Sequence, residues 1–414
     1  MKLAFVVAFA VAFNANAEKK EEKISLASLL EEAKTNNPAV KAAYERWQSA
    51  EAKVSASRSW ENPMVGIKNK KAESSGTEPA MKSEMLMVEQ EIPFPGKISD
   101  EARMLHHEAK IAHEDYRARL LETEAQVKIR YHLLSWLAST ADALKKDTDI
   151  LEGIARVAQS RLSAGQSSAD EALLAQAQLK MVENSVFERE QQKLIEEEEL
   201  NALLGRKPGT RWGRFEAVPL RDLPVSVEEL EKQARETNPM YLNTLHMQAH
   251  AAVMARRALL NFAPDFKVSY EREKFESGLP AETTIGAALR IPLWLWRPAG
   301  ERKSAKAHQR QTQAESQSAQ NDIFKTLYKE YTEVNLHRQL ALNYSKEILP
   351  LAESALQIAQ KNYETGRADF AKLTEAVRHL LEAQMKYYEE LYHYGEHWAM
   401  LEVVAGKEIE GVKN

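Results

Sequence analysis

Residues 264–292 read PDFKVSYEREKFESGLPAETTIGAALRIP, and this stretch decides the fold class of the chain. Its apolar side chains, beginning with Phe266 and Val268, alternate with polar ones, and a period of two is typical of a β-strand with two different faces. A turn that contains Ser, Gly and Pro separates two such runs. The stretch therefore predicts a β-hairpin with strands at about 264–274 and 283–292.

The same hairpin pattern occurs in the N-terminal half, because the chain contains a long internal repeat. Asn37-Pro38 recurs as Asn238-Pro239, a spacing of 239 − 38 = 201 residues. Further pairs share this spacing: Leu29 and Leu230, Ala33 and Ala234, Pro63 and Pro264, Gly165 and Gly366, and Gly205 and Gly406. Repetition over nearly the whole chain predicts that each half builds the same unit and that the two units pack side by side.

The repeat sets the expected domain boundaries. They are 18–205 for the first repeat, 206–225 for a linker, 226–406 for the second repeat and 407–414 for a C-terminal tail. In the first repeat the hairpin strands are expected at about 63–71 and 83–92. The Ile-Pro pair that ends this hairpin returns in the second repeat at a spacing of 199 residues, two fewer than elsewhere.

Each hairpin is followed by an unusually long helix. From about 97 to 163 the chain contains no proline and a single glycine, so a helix of roughly 100 Å is predicted at ~1.5 Å per residue. The corresponding helix at about 300–364 is interrupted by Pro350, which is expected to kink it. Gly165 and Gly366 end these helices, and a second helix then returns along the first. The predicted fold class is mainly α, with long helical hairpins and a small β portion.

The first residues predict export. Lys2 precedes an apolar run and an A-x-A site at Ala15-Asn16-Ala17, the pattern of a cleaved signal peptide at 1–17. The chain has no cysteine, which excludes lipidation of a mature N-terminal cysteine, disulfides and thiolate metal sites. A net charge of −5 gives no basic footprint for nucleic acid. No Gly-rich phosphate loop is present, and no cofactor is expected.

Together these features resemble the TolC-like family of outer-membrane efflux channels. The most specific segments are the two Asn-Pro pairs, QEIPFPGK at 90–97, Leu203-Leu204-Gly205, and Tyr363 followed by Gly366. The resemblance implies a homotrimer in which four strands per chain contribute to one twelve-stranded β-barrel. The long helices would continue this barrel through the periplasm as a trimeric α-barrel. Closure of the barrel by further copies of the chain is also expected on physical grounds, because unpaired strand edges cannot face lipid.

The resemblance also implies a function and partners. The chain would be a passive exit duct in outer-membrane lipid, served by a periplasmic adaptor protein and an inner-membrane transporter of the RND type. QEIPFPGK resembles the branch of the family that works with heavy-metal exporters, which favours heavy-metal cations as cargo. Drugs and secreted polypeptides remain alternative cargoes.

Two sets of functional residues follow from the resemblance. The helix tips would form a gate and an adaptor-docking surface that comprises Gly165, Gln166, Ser167, Glu171, Tyr363, Gly366, Arg367, Asp369 and Glu375. The junction between barrel and helices would be marked by Pro63, Pro93, Pro264 and Pro292, where proline can end a strand ladder. At the tip the chain departs from the family, since Ala368 stands where an arginine is typical and Lys372 where a carboxylate is typical.

The resemblance assigns the two faces of the hairpin as well. Phe266, Val268 and Tyr270 would face lipid, and Lys267 and Glu271 would line the lumen. Aromatic residues beside the junction prolines predict an interfacial belt, comprising Trp60, Phe94, Phe262, Trp294 and Trp296.

Two other functions remain open from the sequence. A soluble periplasmic coiled-coil tether or scaffold would account for the long helices, although it has no use for alternating strands. A zinc peptidase is suggested by His393-Tyr394-Gly395-Glu396-His397, which fits the H-x-x-E-H pattern but would need a third ligand and an open coordination position. No catalytic residue and no metal site are expected, and the chain is not expected to be an enzyme.

Overall fold

The structure is a computed structural model that describes residues 23–72, 81–216, 219–276 and 279–409. The predicted signal peptide lies outside the described residues, and so do much of the two hairpin turns and the end of the tail.

The elements follow one another in the order β1 (Lys23–Ile24), α1 (Leu26–Asn36), α2 (Pro38–Ala56), β2 (Met64–Ala72), β3 (Met81–Ile92), α3 (Lys97–Ser163), α4 (Ala169–Leu203), β4 (Arg214–Phe215), α5 (Val227–Thr237), α6 (Pro239–Leu260), β5 (Asp265–Phe275), β6 (Glu282–Arg290), α7 (Trp296–Asn343), a π-helical turn (Tyr344–Ile348), α8 (Leu349–Glu364) and α9 (Phe370–Ala405). The succession from α1 to α4 recurs from α5 to α9, so the sequence repeat is also a structural repeat. The predicted fold class, mainly α with a small β portion, is confirmed. Among the described helices, none combines the length and the apolar composition that crossing a membrane requires.

The four longer strands form one antiparallel sheet in the order β2-β3-β5-β6. Val88 lies opposite Tyr270, which in turn lies opposite Ile285. Residues opposite one another in a ladder share a face, so one face of the sheet carries a band of apolar side chains. The other face carries ion pairs such as that between Lys267 Nζ and Glu89 Oε2, which are 2.6 Å apart. The alternation predicted for the hairpin therefore extends across the sheet.

A corner built on Asn37-Pro38 explains part of the repeat. Asn37 caps α2, because its Oδ1 accepts hydrogen bonds from the two backbone N–H groups that follow Pro38, at 2.8 and 3.1 Å. Its Nδ2 donates to the carbonyl of Leu203 near the end of α4, at 2.8 Å. Gly205 then turns the chain with φ +66°, and a Cβ there would lie 3.1 Å from the last carbonyl oxygen of α1.

The second repeat builds the same corner from equivalent residues. Asn238 Nδ2 donates to the carbonyl of Val404 at 2.8 Å, and its Oδ1 accepts from the N–H of Tyr241 at 2.9 Å. Gly406 has φ +81°, and a Cβ there would lie 2.5 Å from the backbone of Thr237 and Asn238. Each corner joins the entry into a repeat to the end of its returning helix, which is why Asn-Pro and Gly recur together.

The long helix of the second repeat contains the π-helical turn Tyr344–Ile348, which ends two residues before Pro350. Proline cannot donate a backbone hydrogen bond, so regular helix bonding is broken where the kink was predicted. A π turn accommodates one inserted residue. Before the turn, Leu134 and Val334 are buried at equivalent positions of the two repeats, and their spacing is 334 − 134 = 200 residues. After the turn, the tip glycines of the two repeats are spaced by 201 residues. The π turn therefore absorbs one extra residue of the second repeat.

Part of the expected linker, 206–225, packs against the first repeat. Strand β4 pairs in parallel with β1, with Phe215 opposite Ile24. Phe215 is buried, and its ring meets that of Tyr131 edge-on at 5.4 Å. The Tyr131 hydroxyl donates to the carbonyl of Ile24 at 3.1 Å. The sequence did not predict this pairing, because two-residue strands carry no periodicity.

Candidate gate at the helix tips

The tip of each helical hairpin is built around a glycine. Gly165 and Gly366 follow the last turns of α3 and α8 with φ of +69° and +72°. The backbone N–H of Gln166 donates to the carbonyl of Arg161 at 2.8 Å, and the second tip closes in the same way at Arg367, also at 2.8 Å. A Cβ at either glycine would meet no described atom within 4 Å, so the backbone conformation, and not space, selects glycine.

Tyr363 connects the two hairpins. Its side chain is 1% exposed, and its ring centroid lies 5.8 Å from that of Phe370 and 4.7 Å from the guanidinium carbon of Arg161. Its hydroxyl donates a hydrogen bond to Glu171 Oε2 at 3.2 Å. Burial, reinforced by the Glu171 carboxylate, raises the pKa of the Tyr363 phenol, so the hydroxyl stays a donor at neutral pH. This contact joins α8 of the second repeat to α4 of the first.

Arg161 is a tip residue that sequence reasoning missed. Its guanidinium covers the Tyr363 ring and also donates to the Tyr363 carbonyl. One signal was available, because a basic residue in the last turn of a helix meets the negative end of the helix dipole. Arg161, Tyr363 and Glu171 are called the tip link below.

The other predicted tip residues lie outside the tip link. Ser167 donates to a carbonyl in the last turns of α3 at 3.4 Å. Asp369 caps α9, because its Oδ1 accepts from the N–H of Lys372 at 3.1 Å. Glu375 is exposed, with the nearest histidine nitrogen 3.7 Å away. Exposed with it are Gln166, Arg367 and Asp369. The structure thus brings Tyr363 and Glu171 together and leaves Asp369 and Glu375 as separate surface acids.

The four junction prolines flank strand ends. Pro63 precedes β2, Pro93 follows β3, Pro264 precedes β5 and Pro292 follows β6. Near them Trp60, Phe262, Trp294 and Trp296 are exposed, and Phe94 is half-buried.

The segment QEIPFPGK ties this junction to the sheet. The backbone N–H of Phe94 donates to Asp265 Oδ1 at 2.8 Å, and Lys97 Nζ lies 2.7 Å from the same oxygen. Asp265 is the first residue of β5, so the entry into α3 is anchored to the start of the second hairpin.

The sequence matches the family model of outer membrane efflux proteins over residues 29–206 and 234–407. The chain belongs to this family. The two matched ranges correspond to the two repeats, and the resemblance drawn from the sequence is confirmed. This family is one of transport ducts and not of enzymes.

Solved structures share the fold of this efflux protein. CusC, whose structures concern folding and transmembrane channel formation, is 15% identical with a TM-score of 0.80, over 92% of each chain. The outer membrane protein VceC from Vibrio cholerae is 18% identical with a TM-score of 0.80, over 93% of this chain and 97% of that one. The CmeC outer membrane channel of Campylobacter jejuni is 16% identical with a TM-score of 0.80, over 100% of this chain and 96% of that one. No curated protein matches the sequence.

Proposed function

We propose that this efflux protein is the passive outer-membrane duct of a tripartite efflux system and that it works as a homotrimer. The observation that carries the proposal is the four-stranded sheet, in which β2 and β6 each keep one free edge among the described residues. Backbone groups at a free edge find no hydrogen-bond partner in lipid, so the strands need closure by copies of themselves. Three copies supply twelve strands, a number within the range of closed membrane barrels.

The two faces of the sheet support a barrel. Val65, Ile67 and Ile285 are 64%, 66% and 77% exposed within the single chain, which fits contact with lipid. The opposite face carries the ion pair of Lys267 and Glu89, which fits a water-filled lumen. Exposed aromatic side chains at the strand ends fit the membrane interface.

We assign gating and adaptor docking to the tips. The proposed surface comprises Gly165, Gln166, Ser167, Glu171, Tyr363, Gly366, Arg367, Asp369 and Glu375. Within it the tip link holds the two hairpins of one chain together through two hydrogen bonds and a cation–π contact. Each contact contributes on the order of 1 kcal/mol.

The proposed partners are a periplasmic adaptor protein and an inner-membrane transporter of the RND type, which supplies the energy for export. The QEIPFPGK segment favours heavy-metal cations as cargo. A cleaved signal peptide without lipidation brings the chain to the periplasm and the outer membrane.

Cross-linking of protein extracted in mild detergent tests the assembly. We expect a ladder that ends at three chains, because three chains close the barrel. A ladder that ends at two or four contradicts this closure. Recovery in the aqueous periplasmic fraction without detergent supports the other candidate, a soluble coiled-coil tether.

Conductance in planar bilayers tests the gate. Trimer symmetry would present the tip acids three times around the mouth, and the resulting negative potential favours cations. We expect lower cation selectivity in Glu171→Gln/Asp369→Asn/Glu375→Gln, with assembly unchanged. The control Asp369→Asn/Glu375→Gln keeps the tip link, so it separates surface charge from the contact with Tyr363. Unchanged selectivity in both variants contradicts the gate assignment.

A further inference from the structure

Three histidines lie together between α7 and α9, and the proposed duct makes no use of them. His337 is on α7, and His393 and His397 are one turn apart on α9. The ring centroids of His337 and His397 are 5.2 Å apart with nearly parallel planes, and those of His337 and His393 are 5.0 Å apart. We call these three residues the histidine cluster. Neutral imidazole is a common metal ligand, so the cluster raises the question of a bound cation.

Carboxylates contact all three of these rings through Nδ1, and for His393 the partner is Glu396 Oε2 at 3.1 Å. Glu390 Oε2 lies 2.5 Å from His337 Nδ1, and Glu330 Oε2 lies 2.7 Å from His397 Nδ1. Glu390 and Glu330 are both buried. A carboxylate bonded to Nδ1 orients the ring and leaves Nε2 free, which is how carboxylates commonly position metal-ligating histidines.

Two triads of donor atoms, which share His397, are each close enough to hold a cation. One ligand atom each of Glu333, His337 and His397 lies within 4.8 Å of the others, and the same holds for His393, Glu396 and His397. Glu333 Oε2 is 3.6 Å from His337 Nε2. Tetrahedral zinc bonds of ~2.0–2.2 Å place neighbouring ligand atoms about 3.4 Å apart. Atoms of the first triad therefore approach one another by up to 4.8 − 3.4 = 1.4 Å when a cation binds, and the His393 ring rotates toward them to supply the fourth ligand.

The first repeat makes the same helix contact with an ordinary ion pair. Glu330 and His397 correspond to Arg130 and Glu196, since 330 − 130 = 200 before the π turn and 397 − 196 = 201 after it. Arg130 and Glu196 form a salt bridge between α3 and α4. The fold therefore does not require a histidine at this place.

Two further ligand positions correspond to leucines. At the spacing of 200, Glu333 and His337 correspond to Leu133 and Leu137, both of which are buried. Replacing buried apolar side chains by a carboxylate and an imidazole costs desolvation unless a partner compensates. The second repeat therefore carries ligand-type side chains where the first repeat uses hydrophobic packing.

We propose that the histidine cluster and Glu333 bind one Zn²⁺ per chain and clamp α7 to α9. Four protein ligands fill a tetrahedral coordination sphere, which is typical of structural rather than catalytic zinc. Glu330 and Glu390 act as positioning residues through Nδ1 of the two rings they hold. The donors are nitrogen and oxygen atoms, which favour a divalent cation such as zinc over a soft monovalent one.

The clamp lies on the sheet side of the π turn. His393 is 393 − 370 = 23 residues from the start of α9 at Phe370, which corresponds to about 35 Å along the helix. The π turn lies between His337 and the tip. A bound cation therefore fixes α7 against α9 and leaves α8 and the tip link able to move.

Zinc binding to the full-length, detergent-extracted protein tests the proposal. The protein is purified without a histidine tag, stripped with a chelator and dialysed against ZnCl₂, and bound zinc is measured by elemental analysis. We expect one zinc per chain in the wild type and none retained in His337→Leu or His397→Gln. Glu330→Gln and Glu390→Gln should weaken the affinity about 10- to 100-fold.

A matched control uses the other pair of histidines with the same spacing. His246 and His250 are four residues apart on α6, and the variant His246→Gln/His250→Gln should keep one zinc per chain. Loss of zinc from this control overturns the proposal, because it places the site elsewhere. Wild-type zinc content in His337→Leu or His397→Gln also overturns it.

His337→Leu is the most informative variant, because it introduces the residue that the first repeat already packs at the equivalent position. It should fold, and zinc should raise the thermal unfolding midpoint of the wild type but not of this variant. An equal zinc-induced rise in both proteins contradicts the clamp.

Discussion

Gly395 lets α9 approach α3 closely, and this contact gives a sharp stability prediction. A Cβ placed on Gly395 would lie 2.3 Å from the Cγ and Nδ1 atoms of the His132 ring. Gly395 lies inside α9 and does not have a positive φ, so space and not backbone conformation selects glycine. Gly395→Ala must therefore displace the His132 ring or separate the two helices.

The expected magnitude combines two opposing effects. An ordinary contact of 3.4 Å is missed by 3.4 − 2.3 = 1.1 Å, and overpacking of this kind costs about 1–3 kcal/mol. Alanine recovers about 0.8–1 kcal/mol through its higher helix propensity. We expect Gly395→Ala to lower the free energy of unfolding by up to about 2 kcal/mol. The matched control is Gly153, inside α3, where a Cβ meets no described atom within 4 Å. Gly153→Ala should stabilise the protein by about 0.5–1 kcal/mol.

Thermal and urea unfolding in detergent, followed by circular dichroism, measure both variants. The double variant Gly395→Ala/His132→Ala tests the cause, because removal of the ring should relieve the overpacking with a coupling energy of ~1 kcal/mol or more. If Gly395→Ala stabilises the protein as Gly153→Ala does, the close approach of the helices is refuted. A cost without coupling to His132 assigns the strain to another neighbour.

Three further predictions concern the sheet, a buried carboxyl group and a tip. Val268→Arg places a charge on the face proposed to meet lipid and should cost ~2–4 kcal/mol near the midplane of the membrane. Lys267→Ala, on the other face, should leave assembly intact. Equal yields of membrane-inserted trimer for the two variants would reject the assigned faces. Burial raises the pKa of Asp147 to about 6 from 3.8, so its ionisation opposes folding increasingly as pH rises from about 4 to 6 and costs up to about 3 kcal/mol above that. Asp147→Asn should therefore raise the unfolding midpoint at pH ~7.5 and leave it nearly unchanged at pH ~3.5, and an equal rise at both would contradict the burial argument. Gly366→Val forces a β-branched residue to positive φ at a cost of ~1 kcal/mol or more. The variant should still trimerise, but the adaptor should no longer co-purify with it. Co-purification of the adaptor with this variant would contradict a docking role.

Helices and strands that have a clear local sequence pattern could be predicted from the sequence. The strands showed a period of two on a sheet with two different faces, and α3 occupies a stretch without proline. The cap at Asn37 could be predicted because Asn before Pro is typical of a helix start. Its second contact, from Nδ2 to the carbonyl of Leu203, spans 166 residues and has no local signal. Only the recurrence of Gly205 at the repeat spacing indicated that the two ends belong together.

The tip shows where sequence reasoning stopped. The sequence placed Tyr363 and several acids at the two tips, but it could not tell which acid accepts from the hydroxyl. The answer depends on how the hairpins pack, since Tyr363 and Glu171 are 192 residues apart. The role of Arg161 depends on the same packing, because its guanidinium acts on a ring from the other repeat.

The tip link is asymmetric with respect to the repeat, and this asymmetry bears on opening. Tyr363 corresponds to Leu162 and Glu171 to Lys372, since 363 − 162 = 201 and 372 − 171 = 201. In the proposed trimer each hairpin has two neighbours, one from its own chain and one from another chain. The contact between chains would present Leu162 and Lys372, which offer neither the hydroxyl donor nor the carboxylate acceptor of the tip link. The two hairpins of one chain should therefore move as one body, and the duct should open between chains.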